Sequence, residues 1–140
     1  MAVDAPVRPA PAFIRAWAAG VIVLVATEVL QASLVNEYLV GPEGVRSFGA
    51  ALGLVHLPNL VCVLLSTWAA ARMHPEPWRD VSWQHTVAAC AVPVAAHVLS
   101  LVLHHERGAL GTLGFWMSTG VLLAGCALGM LADRWQEESG

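Results

Sequence analysis

The sequence predicts an all-α integral-membrane protein whose four helices form an antiparallel bundle. Of its 140 residues, 57% are hydrophobic and only 12% are charged, whereas a soluble domain usually has about 25% charged residues. The apolar residues are gathered into four stretches, and each is long enough to cross roughly 30 Å of hydrocarbon. The joins between the stretches are short, and short joins make consecutive helices antiparallel neighbours.

The elements along the chain are an arm, four spans and a tail. Residues 1–12 contain three prolines and are predicted to be a poorly ordered N-terminal arm. The first span is longer than the apolar core of a signal peptide, so we expect it to be retained. Residues 133–140 are rich in acidic side chains and are predicted to be a C-terminal tail. Residues 13–132 are predicted to be a single transmembrane domain, with spans over 13–35, 48–71, 84–103 and 110–132.

The distribution of arginine predicts the orientation of the spans, because cytoplasmic loops carry an excess of basic residues. Five of the seven arginines lie on one side of the predicted spans. Both termini are therefore predicted to be cytoplasmic, in a multi-pass protein of the inner (plasma) membrane. Five tryptophans fall at the same interface, where amphipathic rings prefer to lie. The arginines are Arg8, Arg15, Arg72, Arg79 and Arg134, and the tryptophans are Trp17, Trp68, Trp78, Trp83 and Trp135.

Small residues and prolines predict where the helices approach one another and where they bend. Glycines recur within the second and fourth spans, and in lipid such small residues mark helix contacts. Pro58 and Pro93 lie in the middle of their spans, and each removes one backbone hydrogen-bond donor. We expect each proline to produce either a simple kink or a wider cavity beside it. The glycines expected at helix contacts are Gly49, Gly53, Gly114, Gly125 and Gly129.

Three ionisable residues, Glu28, His56 and His97, lie inside three different spans. An ionisable side chain at the centre of a bilayer costs roughly 2.5–3.5 kcal/mol on insertion scales. A rise of about 1.5 Å per residue places all three near one depth, with Ser118 of the fourth span at the same level. The chain is therefore predicted to build a polar site between its helices. The alternative for each residue is an ordinary hydrogen bond between helices.

Other polar residues share helix faces with this layer. Gln31 lies one helical turn beyond Glu28, and His104 lies two turns beyond His97, so each pair faces one way. Glu28, His97 and His56 are predicted to be catalytic residues. The residues predicted to bind substrate, at the mouth or wall of a cavity, are Asn59, Gln31, Ser118, Trp116, His104 and Asn36.

This layer favours an integral-membrane enzyme over the other classes of protein. A carboxylic acid and imidazoles in an apolar cavity can donate and remove protons with little help from water. That chemistry suits isomerisation, cyclisation or cofactor-free oxidation of a lipophilic small molecule. Glu28 would be the general acid or base, His97 its partner base, and His56 a group that orients the substrate. The expected partners are the lipid bilayer and this substrate, no metal or other cofactor is expected, and the small size leaves room for a homodimer.

Three other classes remain open. A structural or assembly subunit of a larger membrane complex would not need the ionisable residues. A glutamate in the first of four short spans resembles the small multidrug-resistance exporters, which implies proton-coupled export, although the mid-span histidines depart from that pattern. Two histidines and one carboxylate also match a haem or metal subunit in composition. No basic patch suits nucleic acid, and the three separate cysteines indicate neither a disulfide nor a redox pair.

Overall fold

A computed structural model describes residues 10–39, 46–103 and 111–140 of the chain, and within these ranges it is all-helical. Four of its helices are long and apolar enough to cross a membrane, which confirms the predicted helical class and indicates a multi-pass membrane protein. These helices are α1 (Ala10–Leu34), α2 (Phe48–Met73), α3 (Ser82–Leu103) and α4 (Leu113–Ser139). A π-helical turn, Val35–Leu39, extends α1, and a 3-10 turn, Trp78–Asp80, lies between α2 and α3.

The outer faces of the four helices are apolar. Large aliphatic side chains are more than half exposed on every helix, including Ile22 at 67%, Leu57 at 57%, Leu103 at 71% and Leu123 at 66%. Single exposed apolar residues are ordinary on soluble proteins, but apolar surface on all sides of a helical chain is not. This surface is what a lipid environment requires.

Helix α2 lies against the other three helices, with its most extensive contacts to α1 and α4. The contact with α1 uses small side chains, since Ala16 and Ala70 are both fully buried and pack with Ala88 of α3. Ser66 of α2 donates a hydrogen bond to the carbonyl oxygen of Gly20 at 2.9 Å. Small residues thus allow the backbones to approach closely, as expected for helix pairs in lipid.

Two glycines of α4 form its contact with α2. A Cβ atom at Gly129 would lie 2.7 Å from the carbonyl oxygen of Leu64, and one at Gly125 would lie 2.5 Å from a methyl group of Val63. Neither position can hold a side chain unless the helices separate. The prediction of close approach is correct for this pair. Within the described ranges it is wrong at Gly49, Gly53 and Gly114, where an added Cβ would meet no atom of those residues within 4 Å.

The two mid-span prolines have different effects on their helices. Pro58 follows a π-helical segment, Leu52–His56. Because Pro58 has no N–H, it cannot bond to the carbonyl four residues earlier, and a wider turn accommodates the missing bond. Pro93 is buried inside α3, which continues as an α-helix on both sides. The π-helical segment also rotates the preceding residues away from the faces that regular α-helical spacing gives them.

The helix ends differ from the predicted boundaries at both termini. Helix α1 begins at Ala10, within the predicted arm, because Ala12 and Ala16 are buried against the bundle. Helix α4 continues to Ser139, through the residues predicted to be a tail. Its last turns are held by Arg79, which pairs with two acidic side chains on one face of α4. The remainder of the predicted arm, residues 1–9, lies outside the described residues.

Candidate functional site

A cavity of about 430 Å³ lies between the helices, and all four of them contribute to its wall. Its polar lining includes Glu28 of α1, Asn59 of α2, His97 of α3 and Ser118 of α4. These are four of the nine residues predicted as catalytic or substrate-binding. The rest of the lining is mostly aliphatic and includes Pro93, one helical turn before His97. The cavity therefore offers a few polar groups in apolar surroundings, which is typical of small-molecule sites.

The orientation of the His97 ring follows from its neighbour on α4. His97 Nε2 lies 3.3 Å from the hydroxyl oxygen of Thr119. When that hydroxyl donates to the carbonyl oxygen of Phe115 at 2.9 Å, it accepts from the imidazole. Nε2 then carries the proton, and Nδ1 is left as the basic nitrogen.

Glu28 lies on α1 with its side chain exposed. Within the described ranges its carboxyl group has no hydrogen-bond or ion-pair partner. The hydroxyl of the adjacent Thr27, by contrast, donates to the carbonyl oxygen of Val23 at 2.7 Å. The Glu28 carboxyl is therefore available to a molecule that enters the cavity.

The other predicted site residues are placed elsewhere. Gln31 joins two helices, because its amide donates to the carbonyl oxygen of Val55 at 3.4 Å and accepts from Cys62 Sγ at 3.3 Å. His56 ends the π-helical segment and is not among the described residues that line the cavity. Trp116 is 63% exposed and Asn36 is exposed in the turn after α1. His104 lies outside the described residues.

An apolar groove of about 550 Å³ adjoins the cavity between α1 and α3. Its wall includes Trp17 at one end and the small residues Ala91 and Ala95 along α3. Glu28 is an acidic residue of this wall and also lines the cavity. The residues common to the groove and the cavity are Leu24, Glu28, Ala96 and Leu99.

A second polar cluster lies where the turn between α2 and α3 meets the end of α4. Asp133 is fully buried and accepts a hydrogen bond from Arg79 Nη2. Arg79 also donates to Glu137 and, at 3.0 Å, to the carbonyl oxygen of Ala71. His85 Nε2 of α3 lies 3.3 Å from Asp133 Oδ2. The cluster thereby ties the turn to three of the helices.

His74 completes this cluster from the end of α2. It is 1% exposed, and neither ring nitrogen has a hydrogen-bond partner among the described residues. Its ring lies 5.5 Å from that of Phe13 and 5.7 Å from that of His85. Burial, together with the charges of His85 and Arg79, lowers the pKa of His74 below its ordinary value of 6.5. Burial also lowers the pKa of Arg79, but its bonds to Asp133 and Glu137 outweigh this, so its pKa is raised.

The lowered pKa of His74 predicts that the protein is less stable in acid. The unfolded chain binds a proton at this histidine below about pH 6.5, whereas the folded chain resists it, so the free energy of unfolding falls as pH decreases below that value. In His74→Phe we expect this loss between pH 7.5 and pH 5 to be smaller than in the wild type, as measured by chemical unfolding in micelles. Leu123→Phe, which adds the same ring at an exposed position without a titratable group, is the control and should keep the wild-type pH dependence. An unchanged pH dependence in His74→Phe would contradict the assignment.

This cluster was not apparent from the sequence alone. His74, His85 and Asp133 are each unremarkable in sequence, and Arg79 precedes Asp133 by 54 residues. The available signal was three acidic residues, Asp133, Glu137 and Glu138, directly after an apolar span and opposite an arginine-containing loop.

Comparisons of the chain with protein-family models, curated proteins and solved structures found no match. The proposed function therefore rests on the geometry of the chain. Within the described ranges, no three His, Cys, Asp or Glu side chains are grouped as a metal ion would need.

Proposed function

We propose that this protein is an integral-membrane enzyme that isomerises or cyclises a lipophilic small molecule by acid–base catalysis. The observation that carries the proposal is the shared cavity. Glu28 and His97 line it together with Asn59 and Ser118. An acid and a base in one apolar enclosure can move a proton between two carbon atoms of a substrate without a cofactor.

The roles follow from the hydrogen bonds. His97 Nδ1 is the basic nitrogen, because Nε2 is committed to Thr119, and it removes a proton from a carbon atom of the substrate. Glu28, as a carboxylic acid, donates a proton to a second carbon atom. Asn59 can hydrogen-bond to a substrate oxygen and stabilise charge that develops there. The substrate gains one proton and loses one, so no oxidant or reductant is required.

The membrane placement is part of the same proposal. We place the chain in the inner (plasma) membrane as an antiparallel bundle with both termini in the cytoplasm. The arginine distribution supports this. Arg72 lies in the last turn of α2, Arg79 lies in the turn that leads into α3, and Arg134 lies in the C-terminal part of α4. Trp68 at that end donates to Gln136 at 3.1 Å. The lipid-facing surface leaves room for a second copy as a homodimer.

The proposal is tested by following deuterium from solvent into lipids. Membranes that contain the protein are incubated in deuterated water with a lipid extract of the organism that makes it, and the lipids are analysed by mass spectrometry. Because both catalytic protons exchange with solvent between turnovers, wild-type protein should introduce deuterium into one lipophilic product. Glu28→Gln should reduce this incorporation by about 10²–10⁴-fold while the protein still folds.

Glu37→Gln provides the matched control, because Glu37 is an exposed acid farther along the same span. It should label lipids as the wild type does. If wild-type protein introduces no deuterium, the enzymatic assignment is wrong and a structural subunit is favoured. If Glu28→Gln labels lipids at the wild-type rate, Glu28 is not the catalytic acid and the proposed mechanism is wrong.

A further inference from the structure

The groove between α1 and α3 and the cavity at Glu28 together indicate the shape of a ligand that would fit them. Among the described residues, the groove is lined almost entirely by aliphatic side chains and by Trp17, and Glu28 is its only acidic wall residue. The cavity beyond Glu28 contains the polar groups of Asn59, His97 and Ser118. A molecule that occupies both therefore has one long apolar part and one polar head.

The charges of the lining residues restrict the chemical nature of the ligand's polar head. No lysine or arginine is among the described residues that line the cavity or the groove. A phosphate or carboxylate head would therefore lie beside the Glu28 carboxyl group without a lysine or arginine to pair with, and an unpaired charge away from water is costly. A cationic head would have to leave the bilayer surface for the middle of a span, which is also costly. Hydroxyl and carbonyl heads avoid both costs.

The position of the groove indicates the route of access. It lies between two membrane-spanning helices, and Val21, Val25 and Ala95 in its wall are exposed. From Trp17 to Glu28 the groove follows α1 for roughly 16 Å, about half the thickness of a bilayer core. An apolar chain that lies among lipid tails can enter such a groove sideways without crossing water.

We infer that the substrate is a lipophile with one apolar chain and one uncharged oxygen head, and that it enters from the bilayer with its chain between α1 and α3 and its head at Glu28 and His97. This inference rests on the proposed function, because it takes those two side chains as the groups that meet the reacting head. It excludes phospholipids, fatty-acid anions and prenyl phosphates as substrates.

The experiment measures covalent labelling by chain-matched probes. The protein is placed in nanodiscs of phosphatidylcholine and irradiated with dodecanol that carries a diazirine on its chain, or with the corresponding dodecyl phosphate. We expect the alcohol to label residues of α1 and α3 and to be displaced by unlabelled dodecanol. Labelling by the phosphate should be about tenfold weaker or less.

Ala95→Phe tests the groove itself, because Ala95 lines it and the added ring would occupy part of its volume. It should lower labelling by the alcohol at least about tenfold. Ala127→Phe adds the same ring to an exposed position of α4 that does not line the groove, and it should label as the wild type does. Ala91→Leu, at another groove residue, provides a second variant in case Ala95→Phe fails to fold.

The possible outcomes separate this inference from the proposed function. Equal labelling by alcohol and phosphate, labelling that unlabelled dodecanol does not displace, or full labelling of both groove variants would overturn the inference and indicate contact with bulk lipid only. Deuterium transfer that depends on Glu28 would still support the enzyme in that case. Selective labelling without deuterium transfer would instead support a binding protein for neutral lipophiles.

Discussion

Asp133→Ala should lower the free energy of unfolding by about 3 kcal/mol. The substitution leaves the guanidinium group of Arg79, whose side chain is 13% exposed, without its buried carboxylate. It also removes the acceptor of His85. The effect should lie at the low end of what is usual for breaking a buried ion pair, because Glu137 still bonds to Arg79. Titration with a denaturing detergent in mixed micelles, followed by tryptophan fluorescence, measures the change.

Two variants show whether the charge is responsible. Asp133→Asn keeps the shape of the side chain and should lose at least half as much stability as Asp133→Ala. Glu138→Ala removes an exposed acid from the same helix and should unfold as the wild type does. Equal stability of Asp133→Ala and Glu138→Ala would show that the buried pair does not hold the bundle. The double variant Arg79→Ala/Asp133→Ala should lose less stability than the sum of its single variants, since neither partner is left unpaired.

Gly129→Ala should lower the free energy of unfolding by about 1–3 kcal/mol, because a single added methyl group overpacks a tight contact. The new Cβ would lie 2.7 Å from both the Leu64 carbonyl oxygen and Thr67 Cβ. The first of these is a backbone atom and cannot move aside unless α2 moves. Helices α2 and α4 should therefore separate, and the same detergent titration measures the loss.

Gly120→Ala is the matched control for this contact. Gly120 lies on α4, and a Cβ there would meet no atom of the described part of the chain within 4 Å. Alanine favours helix over glycine by roughly 1 kcal/mol, so Gly120→Ala should be as stable as the wild type or slightly more so. If Gly129→Ala behaves in the same way, α2 and α4 do not pack as closely as the structure shows.

The number and type of the helices could be predicted from sequence because lipid imposes a strong constraint. A span must satisfy its own backbone and present apolar side chains, so hydropathy and length reveal it. The helix ends could not be predicted in the same way. They depend on contacts between distant residues, such as Arg79 with Glu137, which hold the last turns of α4 in place.

Counting depth along regular helices predicted part of the candidate site. It placed Glu28, His97 and Ser118 at one level, and the structure gives them one cavity. It gave His56 the same level, but the π-helical segment Leu52–His56 changes the direction in which residues before Pro58 face. Regular spacing cannot anticipate that change. The groove was not predicted either, because nothing in the sequence distinguishes Ala95 from any other alanine in a membrane span.

The placement of Asp133 has a consequence for the way the chain is made. Helix α4 follows the other three in sequence, so Arg79 and His85 enter the membrane region before the carboxylate that they both bind has been synthesised. A nascent chain that has not reached residue 133 holds a cation and two histidines without that acid. Incomplete chains would therefore be poorly folded and open to proteolysis. Most of α4 must therefore be synthesised before the four spans can pack into their final arrangement.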